Sequence, residues 1–150
     1  DSLAFITDAV TGPALRIAPL YKETVNGDAF TVDIMAEDLS NVAGAEILLL
    51  FDASVLAFQS IDKGEFFGRA QGQVLEITTL KTSNLLQIDI GAYNGTYPAA
   101  SGSGVIATLH FNTLKVGQSA LTLQQDCSLR DKDNNVLNYN SLVNGLVDVK

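Results

Sequence analysis

Alternation of apolar and polar side chains with a period of two runs through this chain, and helical periodicity hardly appears. Ala14 to Pro19 reads as a first strand, closed by Pro19. Asn26-Gly27-Asp28 is a turn signal, because Asn-Gly readily supplies positive φ. Strands follow at Phe30 to Ala36, Gly44 to Phe51, Val55 to Ile61, Val74 to Leu80, Leu85 to Ala92, Val105 to Leu114, Ala120 to Leu129 and Leu142 to Val149. Asp38 to Asn41 reads as a loop, Lys81 to Asn84 as a hairpin turn, and the Gly-, Ser-, Ala- and Pro-rich stretch Asn94 to Gly104 as a longer loop. A short helix fits only near Asp52 to Val55 or Glu65 to Ala70. About nine short strands with turn signals every ~8–12 residues predict an all-β, antiparallel β-sandwich. Residues 1–13, ending in Thr11-Gly12-Pro13, read as a lead-in segment, and residues 14–150 as one domain without internal repeats.

The same alternation assigns faces. In the strand from Gly44, it turns Ala45, Ile47, Leu49 and Phe51 one way and Gly44, Glu46, Leu48 and Leu50 the other. Leu86, Ile88 and Ile90 point inward, with Gln87 and Asp89 outward. Val105, Ala107, Leu109 and Phe111 point inward and His110 outward; Leu121, Leu123 and Cys127 point inward and Thr122, Gln124 and Asp126 outward. Leu48 and Leu50 thus fall on the side away from the core. Beside Glu46, Gln87 and Asp89 they would form an apolar patch with a polar rim, a pattern that marks contact surfaces. The alternative is that a loop or the N-terminal segment covers them.

Composition narrows the function classes. The chain of 150 residues is 47% apolar and 17% charged, enough apolar material for a core without disulfide staples. Nine Lys and Arg against seventeen Asp and Glu give a net charge of −8, which disfavours nucleic acid. No run approaches the ~20 apolar residues of a membrane-spanning helix; the longest, Ile47 to Phe51, has strand length. The chain opens on Asp1 rather than Met, as expected of a piece of a larger polypeptide.

Five segments in order resemble the cohesin family. Asn26-Gly27-Asp28-Ala29-Phe30-Thr31-Val32 is similar to the opening cohesin strand, and Gly44 to Phe58 to the segment in which a strand ends in aromatic-Asp before Val-Leu. Gly64-Glu65-Phe66-Phe67, Gly102 to Phe111 and Gly145-Leu146-Val147-Asp148-Val149 resemble the later cohesin motifs. The resemblance spans roughly residues 14 to 149 and implies a nine-stranded jelly-roll sandwich without catalytic activity. It implies a partner as well: a dockerin, a small helical module with paired calcium loops, bound on one sheet face. That would anchor proteins to a scaffold at the cell surface or outside the cell. Carried onto this chain, Glu46 takes the acidic place on the third strand and Gly44 a place that is usually polar. Leu80, Ala92 and Gly95 stand near positions used at the ends of the fifth and sixth strands, Leu80 where some relatives carry Tyr. The expected partner-binding set is Glu46, Leu48, Leu50, Leu80, Gln87, Asp89, Ala92 and Gly95.

Reactive chemistry has few candidates. His110 is the single imidazole, Cys127 the single thiol, and both sit within strand patterns. Asp33 and Asp89 are carboxylates that a glycosidase dyad would have to bring together. Asp131-Lys132-Asp133-Asn134-Asn135 fits a polar β-turn and also offers Asp131 and Asp133 as calcium ligands, without the Gly and final acid of an EF-hand loop. A carbohydrate-binding module is the rival reading. With no Trp, it would rest on Tyr93 and Tyr97. A structural spacer domain is the third.

Overall fold

The structure is a computed structural model that describes residues 10–94 and 99–150. In chain order the strands are β1 (Ala14–Ala18), β2 (Tyr21–Thr24), β3 (Ala29–Val42), β4 (Gly44–Leu50), β5 (Leu56–Lys63), β6 (Gln73–Thr82), β7 (Leu85–Tyr93), β8 (Ala100–Thr113), β9 (Gly117–Leu123), β10 (Ser128–Arg130), β11 (Val136–Leu137), β12 (Ser141–Val143) and β13 (Gly145–Val149). A 3₁₀ turn, Phe67–Ala70, follows β5, within one of the two stretches expected to be helical. The first sheet has the order β12-β1-β3-β8-β5. The second runs β11-β10-β4-β9-β13-β2, with β7 on the other edge of β4 and β6 outside β7.

The all-β sandwich expected from the alternation is present, with two differences. The sheets are mixed, because β1 pairs β12 in parallel and β2 pairs β13 in parallel. The strand count is also higher. Pro19 ends β1, after which the chain changes sheets to form the short polar β2, and the stretches 120–129 and 142–149 each break in two. A turn closed by Cys127 N–H donating to the Gln124 carbonyl (3.0 Å) separates β9 from β10. Asn144 Oδ1 accepts the Leu123 N–H (2.9 Å) where β12 gives way to β13.

Apolar side chains from both inner faces fill the space between the sheets. Ile34, Ile47, Leu49, Leu86, Ile88, Leu109 and Leu121 are fully buried. Phe111 sits at an aromatic centre, stacked on Phe30 (5.7 Å) and edge-on to Phe51 and Phe58 (5.4 and 5.8 Å).

Bulges explain two departures from strict alternation. Asp38 to Asn41 is not a loop. It continues β3, with Asp38 and Asn41 at positive φ (52° and 58°) where the register with β8 slips. On β8, Ile34 pairs with Ala107 and Met35 with Val105, so Ile106 is the extra residue. Ile106 is therefore fully buried and Val105, expected inside, is only partly covered. β8 also begins inside the expected long loop, at Ala100. Arg69 fastens this start: it pairs with Glu65, donates to the carbonyls of Ser101 (2.9 Å) and Ser103 (2.8 Å), and lies over the Phe66 ring.

Candidate functional site

Cross-strand register arranges the outer face of β10, β4, β7 and β6 in rows. Arg130, Gly44, Gly91 and Leu75 stand side by side across the four strands. The next row is Ser128, Glu46, Asp89 and Ile77, and the one after it Leu48, Gln87 and Thr79. Leu50 and Leu85 follow, with Thr122 of β9 beside Leu50. The inner faces of the same strands carry Ala45, Ile47, Leu49, Leu86, Ile88 and Ile90, all buried, which fixes the parity of the outer ones.

This outer face has a mixed chemistry. Leu48 and Leu50 are half-buried on it, and not sealed between the sheets. Ile77 and Leu75 are 67% and 50% exposed on the flanking strand, and Tyr93 is 56% exposed at the end of β7. The acidic pair Glu46 and Asp89 stands at the middle, and Gln87 Nε2 donates to Asp89 Oδ2 (3.1 Å). Arg130 lies at the far edge, where one guanidinium nitrogen donates to the Asn134 carbonyl (2.9 Å). Behind Leu48, Cys127 backs the strand: the Leu48 N–H donates to its sulfur (3.3 Å), and burial raises the thiol pKa. That is the opposite of what a reactive thiolate needs.

The family model of the cohesin domain matches residues 22–149. The chain belongs to the cohesin family. Solved cohesins share its fold. One is a non-cellulosomal cohesin from the archaeon Archaeoglobus fulgidus, 20% identical, with a TM-score of 0.75 over 94% of this chain and 92% of that one. Another is the sixth cohesin of scaffoldin B from Acetivibrio cellulolyticus, in complex with a dockerin, 18% identical, TM-score 0.77, over 94% of this chain and 100% of that one. A type I cohesin–dockerin complex from Clostridium thermocellum is 15% identical, TM-score 0.73, over the same shares. No curated protein sequence matches the chain significantly. Cohesin domains are non-catalytic interaction modules.

In this cohesin the expected binding residues divide. Glu46, Leu48, Leu50, Gln87 and Asp89 share the outer face. Leu80 and Ala92 do not: Leu80 pairs with inward-facing Leu86, and Ala92 follows inward-facing Ile90 and packs on the core. Leu80 is nevertheless 52% exposed, on β6, the outermost strand beside β7. Gly95 lies outside the described residues. The face also contains Leu75, Ile77 and Arg130, which the sequence did not single out, and Tyr93, which it offered only as part of a sugar platform. The signal for the first two was present as apolar residues at both parities of β6, which marks a strand with one core face and one exposed apolar face.

The candidates for reactive chemistry are dispersed. Asp33 hydrogen-bonds Thr108 Oγ1 (2.6 Å) on the outer face of the first sheet, whereas Asp89 lies on the outer face of the second. The core separates the two carboxylates, so they form no dyad. His110 Nε2 contacts Asp62 Oδ2 (2.7 Å) across the exposed β5–β8 ladder. Asp131 Oδ1 accepts the N–H groups of Asp133 and Asn135 (both 2.9 Å), and its Oδ2 accepts the Asn135 side-chain amide (3.2 Å). This is the bonding of an Asx-type turn. Of the tyrosine pair, Tyr93 is described and exposed, and Tyr97 lies outside the described residues.

Proposed function

We propose that this cohesin docks a dockerin-type module on the outer face of β10, β4, β7 and β6, and so anchors other proteins to a scaffold outside the cell. The observation that carries the reading is one set of adjacent rows, in which Leu48, Leu75 and Ile77 surround the facing carboxylates Glu46 and Asp89. Exposed apolar side chains around a small polar centre are what a helical partner needs: apolar area for affinity and fixed acceptors for orientation. The calcium in such a complex belongs to the partner's paired loops. Leu48 and Glu46 stand at the centre of the face, where a partner would exclude water most completely. Isothermal titration with a calcium-loaded dockerin tests the reading. Leu48→Asp and Glu46→Arg should each remove binding while the far-ultraviolet circular dichroism spectrum stays as in the parent protein.

A further inference from the structure

Gly44 opens β4 one residue after β3 ends in the other sheet, yet neither its backbone nor its surroundings at that corner require a glycine. Its backbone lies in β4 outside the left-handed region, so any residue fits its conformation. A Cβ built on it would meet one atom within 4 Å, the Ile90 carbonyl oxygen at 3.7 Å, an ordinary contact. The glycine opposite is different. At Gly91 a Cβ would come within 2.6 Å of the Ala43 carbonyl oxygen, so Gly91 is fixed by packing. Glycine in a strand weakens it and marks a bulge, a tight bend or a close approach; the open space above Gly44 fits the last of these.

The paired glycines leave a notch in the face with a floor of bare backbone. Leu75 walls one side and Arg130 the other, with Tyr93 at one end and the facing carboxylates Glu46 and Asp89 at the other. Neither carboxylate is paired with a cation among the described residues.

Resting on the docking reading above, we infer that Gly44 sets partner specificity, and that the Gly44–Gly91 notch receives a bulky apolar side chain from a partner helix that also carries a Lys or Arg one turn away. Charge complementarity and spacing select this occupant. Two residues along β4, from Gly44 to Glu46, span about 6.8 Å. One turn of helix, from residue i to i+4, spans about 6 Å. A helix laid along β4 with its apolar side chain in the notch therefore brings its next-turn cation over Glu46 and Asp89. A larger residue at 44 would fill the notch and exclude that partner without disturbing the fold, a device of discrimination by steric exclusion.

The test uses a displayed panel of calcium-loaded dockerin modules, from which the tightest binder of the parent protein is taken. Gly44→Ala and Gly44→Leu should melt at or above the parent temperature, because a strand glycine is replaced. Gly44→Leu should lose roughly tenfold or more in affinity, the consequence of overpacking a closed contact. Shortening the dockerin's notch-filling side chain to Ala should recover part of that loss for Gly44→Leu, while weakening binding to the parent. Lowered melting temperatures in both Gly44 variants would give the glycine a structural role and overturn the inference. So would parent-like affinity of Gly44→Leu when Leu48→Asp has abolished binding. If no dockerin of the panel binds the parent protein, the docking reading itself fails and the notch assignment goes with it.

Discussion

Glu46 and Asp89 face each other directly across the β4–β7 ladder, two carboxylates on one side of the sheet, and Gln87 donates to Asp89 along β7. Like charges placed opposite one another weaken a sheet. A face built for stability alone would put a cation or a neutral pair there. The arrangement has a ready explanation if a partner supplies the missing positive charge or hydroxyl donors.

Stability and affinity should therefore move in opposite directions at this pair. Glu46→Gln relieves the repulsion and should stabilise the free protein by about 0.2–1 kcal/mol. The same change should weaken dockerin binding roughly tenfold, because a charged acceptor becomes a neutral one. Urea melts and titration calorimetry on the same samples check both halves. A variant that is less stable than the parent would contradict the assignment of Glu46 to binding.

The Phe111 cluster should dominate core stability. Three aromatic rings contact Phe111, and it is fully buried between the sheets. Phe111→Ala should cost about 3–5 kcal/mol in denaturant unfolding. Phe111→Leu, which retains most of the volume, should cost clearly less.

Arg69 should hold the entry of β8. It bonds two β8 carbonyls and the Glu65 carboxylate, although its side chain is more than a third exposed. Arg69→Met keeps an unbranched side chain and removes the guanidinium that lies over Phe66 and bonds β8. It should cost about 1–2 kcal/mol, discounted for solvent screening. Hydrogen exchange should rise at Ser101 to Gly104 and stay low in β4 and β7.

Acid should loosen the Asp131 turn in a defined direction. The Asn135 backbone N–H bond comes first among the causes that hold the Asp131 carboxyl below its ordinary range, followed by the Asn135 side chain and the Asp133 N–H. A carboxyl depressed in the folded state contributes stability that is fully present above the unfolded value of about 3.9, and loses it as pH falls through the folded value. The melting-temperature gap between the parent and Asp131→Asn should thus be constant from about pH 7 to 5 and shrink below about pH 4. A gap that widens in acid would show that the carboxylate is not the stabilising form.

Much of the fold was legible because most strands bury one face and expose the other. In β4 and β7 the alternation placed every inward residue correctly, from Ala45 to Leu49 and from Leu86 to Ile90. It failed where a single inserted residue changes parity, as Ile106 does to Val105. It also failed where Asp and Asn sit at positive φ inside a strand: Asp38 and Asn41 have the chemistry of a turn but serve as bulges in β3. The candidate face was half legible. Glu46, Leu48, Leu50, Gln87 and Asp89 follow from parity on two strands that pair over their whole length. Leu80 and Ala92 were assigned from family positions without parity, and pairing turns both to the core side. Leu75, Ile77 and Arg130 were missed because one strand does not reveal which neighbours continue its face; that depends on register between distant segments.

Titration calorimetry of the parent protein, Leu48→Asp and Glu46→Arg against one calcium-loaded dockerin most directly tests the account. The parent should bind with one-to-one stoichiometry, and both variants should give no heat of binding while retaining the parent's circular dichroism spectrum and cooperative melt. Undiminished binding by both variants would contradict it, because the partner would then sit elsewhere on the sandwich.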